Sequence, residues 1–303
     1  MELISIVIRT LDEGRYLDEL LSSAFNQKLD PGMQLEVVII DSGSTDDTLS
    51  IAERHGCRIT HIDKSEFTFG RSLNRGSEYA NGDVLIYVSG HCIPEGQYWL
   101  ANLVAPVVDG RATYVYGRQI GCETTKYSEN KLFGKYFPGE SKIPQADIFC
   151  NNANAAILRD VWEEYRFDEE VTGLEDMELG RRLLDDGCLI AYTADAMVYH
   201  IHDESWIQTK RRYEREAIAL QKIMPDVHVS FLDMLRYLVV SVAADFSSAL
   251  AEKCFLRESV DIVKFRIAQY WGAYRGNHEH RQLSRKRKEN YYYPNKVIKE
   301  HHR

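Results

Sequence analysis

The sequence predicts an α/β fold built on a mixed, mostly parallel sheet flanked by helices, with a helical extension at the C-terminal end. Three observations carry this prediction. Residues 37–40, Val-Val-Ile-Ile, form a continuous apolar run of the kind found in strands buried on both faces. Residues 3–8 and 83–88 repeat that pattern. Between these runs lie segments whose apolar residues, such as Leu17, Leu20 and Leu21, fall on one helical face.

In chain order, the first strand ends at Arg9 and Thr10, and Asp12 with Glu13 leads into a helix over residues 16–26. Pro31 and Gly32 break the chain before the second strand, which stops at Asp41. A right-handed βαβ crossover places the two strand ends side by side, so Arg9, Thr10 and Asp41 are expected to be neighbours. Ligands of open α/β sheets bind outside the carboxyl ends of the strands, which makes Asp41 a candidate contact. Thr45, Asp46 and Asp47 supply cap and first-turn acids for a helix over 48–55.

A short strand follows over 57–62, then a loop and helix over 67–81. Arg71 and Asn74 lie near the start of that helix, where a cation and backbone N–H groups can meet phosphate; Arg71 also reads as a solvated loop arginine. The strand over 83–88 ends in Ser89-Gly90-His91, a position for a metal or phosphate contact or for a simple hydrogen-bonded histidine. A helix over 98–107 and a strand over 114–120 come next. Residues 121–148 lose periodicity and are expected to be a long irregular segment.

Asn151, Asn152 and Asn154 either offer polar groups to a sugar or make tight turns. Glu175 and Asp176 open a helix over 177–186, where the helix dipole favours their charged forms, so a base there is expected to stay ionised near neutral pH. Strands over 189–193 and 196–200 end in His200-Ile201-His202, and from Ser205 the pattern is helical. The division falls between residues 1–204 and 205–303.

With 44% hydrophobic and 27% charged residues the composition is that of an ordinary globular chain, and the net charge of −9 argues against nucleic-acid binding. Cysteines at 57, 92, 122, 150, 188 and 254 lack CxxC spacing, which favours reduced thiols in a cytoplasmic protein. The N-terminus enters a strand directly and no run of about 18 apolar residues stands out, so neither secretion nor a membrane-spanning helix is expected. Cations at 281 and 285–288 beside Tyr291, Tyr292 and Tyr293 suit the headgroups of an anionic membrane at the inner face of the plasma membrane, or a solvated tail.

SIVIRTLDEGRYL, VVIIDSGSTDDT and Leu174-Glu175-Asp176 followed by ELGRRLLDDG, in that order and spacing, resemble the family 2 glycosyltransferases with a GT-A fold, over roughly residues 3–220. Phe67 to Arg71 with Asn74 and Gly76, Tyr116 to Gln119, and VYHIH are similar to the bacterial rhamnosyltransferases of surface polysaccharides, O-antigen and capsule. The resemblance implies residues 1–204 as the nucleotide-sugar-binding and catalytic domain. It also implies a UDP- or dTDP-linked sugar donor, a glycan or lipid-linked acceptor and an inverting mechanism. Asp176 would be the base and Glu175 its orienting partner or an acceptor contact. Asp41 would meet the nucleobase, with Arg9, Thr10 and Glu13 lining its pocket; Arg71, Asn74, Ser89 and Gly90 would line the rest of the donor site.

The family's DxD metal motif falls at residues 89–91 and reads Ser-Gly-His here. Either His91 with His200 holds a softer ion, Mn²⁺ rather than Mg²⁺, or a cation such as Arg71 carries the diphosphate charge. A Rossmann dehydrogenase is excluded because RTLDEGRYL lacks the glycine fingerprint. A nucleotide-sugar-binding module without catalysis is the remaining alternative, and the intact Glu175-Asp176 pair speaks against it.

Overall fold

A computed structural model describes residues 3–279 and 291–292 of the chain. Its first half alternates β1 (Leu3–Thr10), α1 (Gly14–Phe25), β2 (Gln34–Asp41), α2 (Thr48–Arg54), β3 (Arg58–His61), α3 (Phe69–Tyr79), β4 (Val84–Ser89), β5 (Cys92–Pro94) and α4 (Trp99–Val108). There follow β6 (Tyr114–Ile120), α5 (Tyr127–Tyr136), β7 (Lys142–Gln145), β8 (Asn154–Leu158), α6 (Arg159–Tyr165), α7 (Glu175–Asp185) and β9 (Ile190–His200). The last helices are α8 (Trp206–Ile223), α9 (Phe231–Ala251) and α10 (Phe255–Asn277). The chain forms two compact units: Met1–Glu123 with Phe133–Glu170 and Glu175–His202, and Thr124–Leu132 with Val171–Leu174 and Asp203–Arg303.

The first unit is a nine-stranded mixed sheet of order β3-β2-β1-β4-β8-β6-β9-β5, with β7 added beside β9. Its β3-β2-β1-β4 half is wholly parallel, as the βαβ pattern requires. Both faces are covered. Ile6, Ile8, Ile39 and Ile86 pack with Leu17, Leu21 and Trp99 on one side, while Val7, Val38, Ile40 and Tyr87 pack with Leu73, Trp162 and Leu179 on the other. This two-sided burial explains why the strands read as unbroken apolar runs.

The structure departs from the sequence reading at several elements. Residues 121–148 are not irregular, because they contain α5 and β7. The sequence of α5, YSENKLFGKY, carries a glycine and scattered polar residues, so its period is weak. The two strands expected over 189–200 are one strand, β9, whose register against β6 shifts at Gly117/Arg118. The three-residue β5 and seven-residue α6 are too short to show a period.

The second unit has its own polar interior. Capping boxes start α8 at Ser205 and Gln208, and α9 at Ser230 and Asp233. Gly272 and Gly276 let α10 approach the Lys210 and Glu214 carbonyls of α8 more closely than a Cβ would permit. Inside, Arg266 donates to both oxygens of Asp245 at 2.8 and 2.9 Å, and Ser128 Oγ donates to the same carboxylate at 2.6 Å. By length and composition alone α9 is apolar enough to cross a membrane, with mean hydropathy 1.3, although no unbroken apolar run of about 18 residues stands in it. The cations at 281 and 285–288 and Tyr293 lie outside the described residues. Tyr291 is buried, so it is not a ring offered to a membrane interface.

Candidate active site

Parallel pairing aligns Thr10 with Asp41 and Arg9 with Ser89, so the strand-end residues meet as the crossover predicts. Thr10 Oγ1 donates to Asp41 Oδ1 at 3.0 Å. Asp41 also accepts from Ser44 Oγ at 2.5 Å and from the Gly43 and Ser44 amides at 2.7 and 2.9 Å. Both its oxygens are therefore used inside the protein, and the residue is 1% exposed. Asp41 builds the turn after β2. Gly43, at φ +93°, supplies the left-handed residue that lets two consecutive amides face one carboxylate.

The turns after β1 and β2 are stitched together. Asp12 Oδ1 accepts from the Thr45 amide at 2.6 Å, and Asp46 Oδ2 from the Gly14 amide at 2.9 Å. Burial pushes the Asp46 carboxyl up, but hydrogen bonds from Thr48 and Gly14 outweigh it and leave the pKa lowered. Asp46, rather than Asp47, serves the first helical amide of α2, at Thr48. Beside this frame opens a cleft of about 490 Å³ lined by Asp41, Ser42, Gly43, His61, Lys64 and Arg75 among others.

Glu175 and Asp176 begin α7. Arg9 lies with its guanidinium 4.8 Å from the centre of the Phe69 ring and Nη1 3.4 Å from Glu175 Oε1. Asp176 accepts from the Asn152 amide at 3.0 Å and from the Met177 amide at 2.8 Å. Cys150 Sγ donates to its backbone carbonyl at 2.8 Å. Burial, reinforced by the neighbouring Glu175 charge, pushes the Asp176 carboxyl up to about 7 against the pull of the two amides and Arg9. The helix dipole does not keep it fully ionised at neutral pH as expected, because desolvation is the larger effect here.

Each of the three asparagines accepts a hydrogen bond within the fold, while the buried Asn152 Nδ2 has no partner among the described residues. Asn151 Oδ1 accepts from the Ala153 amide, Asn152 Oδ1 from Tyr114 Oη at 2.5 Å, and Asn154 Oδ1 from Trp99 Nε1 at 2.9 Å. Their sequence position therefore sets the loop that holds Asp176.

Arg71 and Asn74 lie on α3, where Arg71 Nη1 donates to the carbonyl of Glu66, a residue of the cleft wall. Asn74 Nδ2 donates to Phe167 O and Glu169 Oε1, and its Oδ1 accepts from Trp162 Nε1 and the Phe167 amide. With its hydrogen-bonding capacity filled and only 5% exposure, Asn74 has nothing left for a phosphate. Arg71 is paired with Glu169 at 2.7 Å and donates to Glu66 O. The expectation that Asn74 lines the donor site is corrected accordingly: it fastens α3 to the segment after α6, and the Glu169 partner of Arg71 belongs to the same segment.

Three histidines converge instead. Antiparallel pairing of Cys92 with His200 brings the end of β9 beside the turn after β4. The candidate ligand atoms of His91, His200 and His202 lie within 4.8 Å of one another. His200 Nε2 and His202 Nε2 are 2.9 Å apart, His91 Nδ1 contacts Glu13 Oε1 at 3.0 Å, and His200 Nδ1 contacts Gln119 Oε1 at 2.6 Å. A carboxylate and an amide thus orient two of the rings, as metal-binding imidazoles require. Three imidazoles fit a first-row transition ion and do not suit Mg²⁺. Gly90 makes room for this grouping, since a Cβ there would come 2.8 Å from Glu13 Cγ and 3.2 Å from the Arg9 carbonyl. His202 was not among the expected ligands, although the i, i+2 spacing in VYHIH is the signal for two side chains on one face of a strand.

Residues 5–166, more than half of the chain, match the family profile described as Glycosyl transferase family 2. The chain belongs to that family. This family 2 glycosyltransferase is 27% identical over 223 residues to the O-antigen chain rhamnosyltransferase RfbN of Salmonella typhimurium, covering 69% of this chain and 70% of that one. It is 28% identical over 232 residues to the O-antigen chain rhamnosyltransferase WbaN of Salmonella anatum, covering 70% of each. Among solved structures, the mannosyltransferase PcManGT of Pyrobaculum calidifontis, in complex with GDP-Man and Mn²⁺, aligns with a TM-score of 0.63 at 17% identity over 92% of this chain and 88% of that one. Staphylococcus aureus TarS in complex with UDP-GlcNAc gives 0.55 at 14% identity over 92% and 93%. The fold is the GT-A fold, and the enzyme class is glycosyltransferase.

Proposed function

We propose that this glycosyltransferase moves a sugar, with inversion, from a UDP- or dTDP-linked donor to a hydroxyl of a glycan or lipid-linked glycan in bacterial surface-polysaccharide synthesis at the cytoplasmic side of the membrane. The single observation that carries the reading is Asp176: a buried carboxylate fixed by two amides, with a pKa of about 7, in a chain of this family. A general base is most effective when its pKa lies near the working pH. In the proposed step the acceptor oxygen forms a bond to the anomeric carbon, the bond from that carbon to the diphosphate oxygen breaks, and Asp176 receives the hydroxyl proton. Glu175, held by Arg9, is proposed to orient the base or to contact the acceptor, and its charge adds to burial in raising the pKa of Asp176.

The nucleobase is proposed to enter the cleft beside the Asp41 turn, with Arg9, Thr10, Glu13, Ser89 and Gly90 forming the frame between that cleft and Asp176. His91, His200 and His202 are proposed to hold a transition ion such as Mn²⁺, which would supply charge neutralisation to the leaving diphosphate. The names of the two Salmonella relatives support rhamnose as the first sugar to test. The test is release of nucleoside diphosphate from a panel of UDP- and dTDP-sugars, with and without Mn²⁺ and with an acceptor glycan. Release with one donor, dependent on acceptor, is expected. Tight donor binding by calorimetry with no release from any donor and acceptor would instead identify a binding module.

A further inference from the structure

Helix α9 carries its apolar side chains on the side away from its own unit. Leu232, Leu235, Val239, Val240 and Leu250 recur at helical spacing and are exposed, Leu232 by 75%. The inward face of the same helix holds Asp245 with its Arg266 partner, and Ser241, whose Oγ lies 2.5 Å from Tyr270 Oη. On α10 the exposed residues Leu256, Val260, Ile267 and Trp271 make a second such stripe, with Leu256 at 92%. Exposed apolar side chains at this density mark an interaction face. The exposed charges of α9 and α10 are the cations Arg236, Arg257, Lys264 and Arg275, the last 3.8 Å from Glu214, against one exposed carboxylate, Asp261.

We propose that α9 and α10 lie flat on an anionic lipid bilayer, their apolar stripes at the acyl boundary and their cations among the headgroups. Length and hydropathy alone would also allow α9 to cross the membrane. Crossing would separate Asp245 from Arg266 and Ser128, or draw that charge pair into hydrocarbon, and either is costly. A second copy of the chain meeting the same face would oppose an excess of cations that Asp261 alone does not balance, whereas a layer of anionic headgroups complements that excess. Exposed Tyr237 and Trp271 are the ring types that favour the membrane–water boundary. No donor or acceptor enters this inference, so it stands or falls separately from the transfer reaction.

The test is flotation of the full chain with vesicles of phosphatidylethanolamine and phosphatidylglycerol, compared with a triple variant, L232E/V239E/L256E. All three positions are exposed, so the variant should keep the parent's circular dichroism and melting temperature. Its apparent vesicle affinity should fall at least about tenfold, because three buried apolar side chains are lost. Trp271 fluorescence should be quenched by brominated lipids in the parent, and the W271F variant should lack that quenching component. Equal flotation of parent and triple variant would overturn the proposal. So would a parent that ignores vesicles and is an oligomer by light scattering while the triple variant is a monomer, which would assign the face to a second copy.

Discussion

Asp176 combines a large burial cost with two backbone donors and a like charge next door, and the sum leaves its carboxyl at about 7. A base works as the carboxylate, so kcat should rise with pH and reach half its plateau near that value. Asp176→Asn should lower turnover by a factor of about 10² or more, with donor affinity nearly unchanged and no inflection near neutrality. The same shift has a stability sign. A buried acid whose folded pKa lies above its unfolded value costs nothing at low pH and destabilises progressively as pH rises from the unfolded to the folded pKa. Asp176→Asn should therefore melt at or above the parent at about pH 8, with the difference shrinking at lower pH; a lower melting temperature at high pH would contradict the assignment of the shift. Asp41 matters through its hydrogen bonds. Removing a carboxylate that accepts from two amides and two hydroxyls should cost about 3 kcal/mol by urea titration as well as weaken nucleotide binding by calorimetry. A variant as stable as the parent would show that the turn does not need it. For the histidines, His202→Ala should reduce Mn²⁺ affinity at least about tenfold by electron paramagnetic resonance titration, since one of three proposed ligands is lost; unchanged affinity would place the ion elsewhere.

At the scale of elements, the base is only as well placed as α7. A Cβ at Gly180 would come 2.9 Å from both Cys150 Sγ and the Ile148 carbonyl, so α7 packs at backbone distance on the chain that leads into β8. Gly180→Ala should push the helix outward and shift Asp176 from the Asn152 amide. A fall of about tenfold or more in kcat, with donor KM little changed, is the expected result; simultaneous loss of donor binding would mean that the disturbance spreads through the sheet. The long elements were readable because burial on both faces writes itself as unbroken apolar runs, and β1, β2 and β4 follow the runs that announced them. What escaped were short or bent elements: β5, α6 and the single strand β9, whose bulge interrupts the pattern midway. The neighbouring of Arg9, Thr10 and Asp41 followed from crossover handedness alone. Asn74 misled because a polar residue at a helix start looks the same in sequence whether it faces a phosphate or, as here, the Phe167 backbone and Trp162. His202 was in plain view in VYHIH, but its nearness to His91 depends on β5 pairing with β9, which no local period encodes.

Across the whole molecule, a net charge of −9 conceals a strongly basic end. Four consecutive cations at 285–288 supply roughly 1 kcal/mol each near an anionic surface, or about 4 kcal/mol together. The apolar stripes of α9 and α10 would add a contribution of different physical origin. Charge attraction is screened within about 10 Å at 0.1 M salt, whereas burial of apolar surface is not weakened by salt. Binding of the full chain to anionic vesicles should therefore fall as salt is raised and then level off above zero. Truncation after Gln282 removes residues 285–288 and leaves α9 and α10 intact, so it should abolish most of the salt-dependent part while keeping the plateau. Transfer to an acceptor analogue without a lipid should continue in the truncated chain, because Asp176 and the three histidines all lie within residues 1–204. Flotation across a salt series, with nucleotide release measured on the same preparations, separates the two contributions. Binding by the truncated chain that remained as salt-sensitive as the parent's would show that the basic run adds no attraction and that the charges flanking the helices carry it instead.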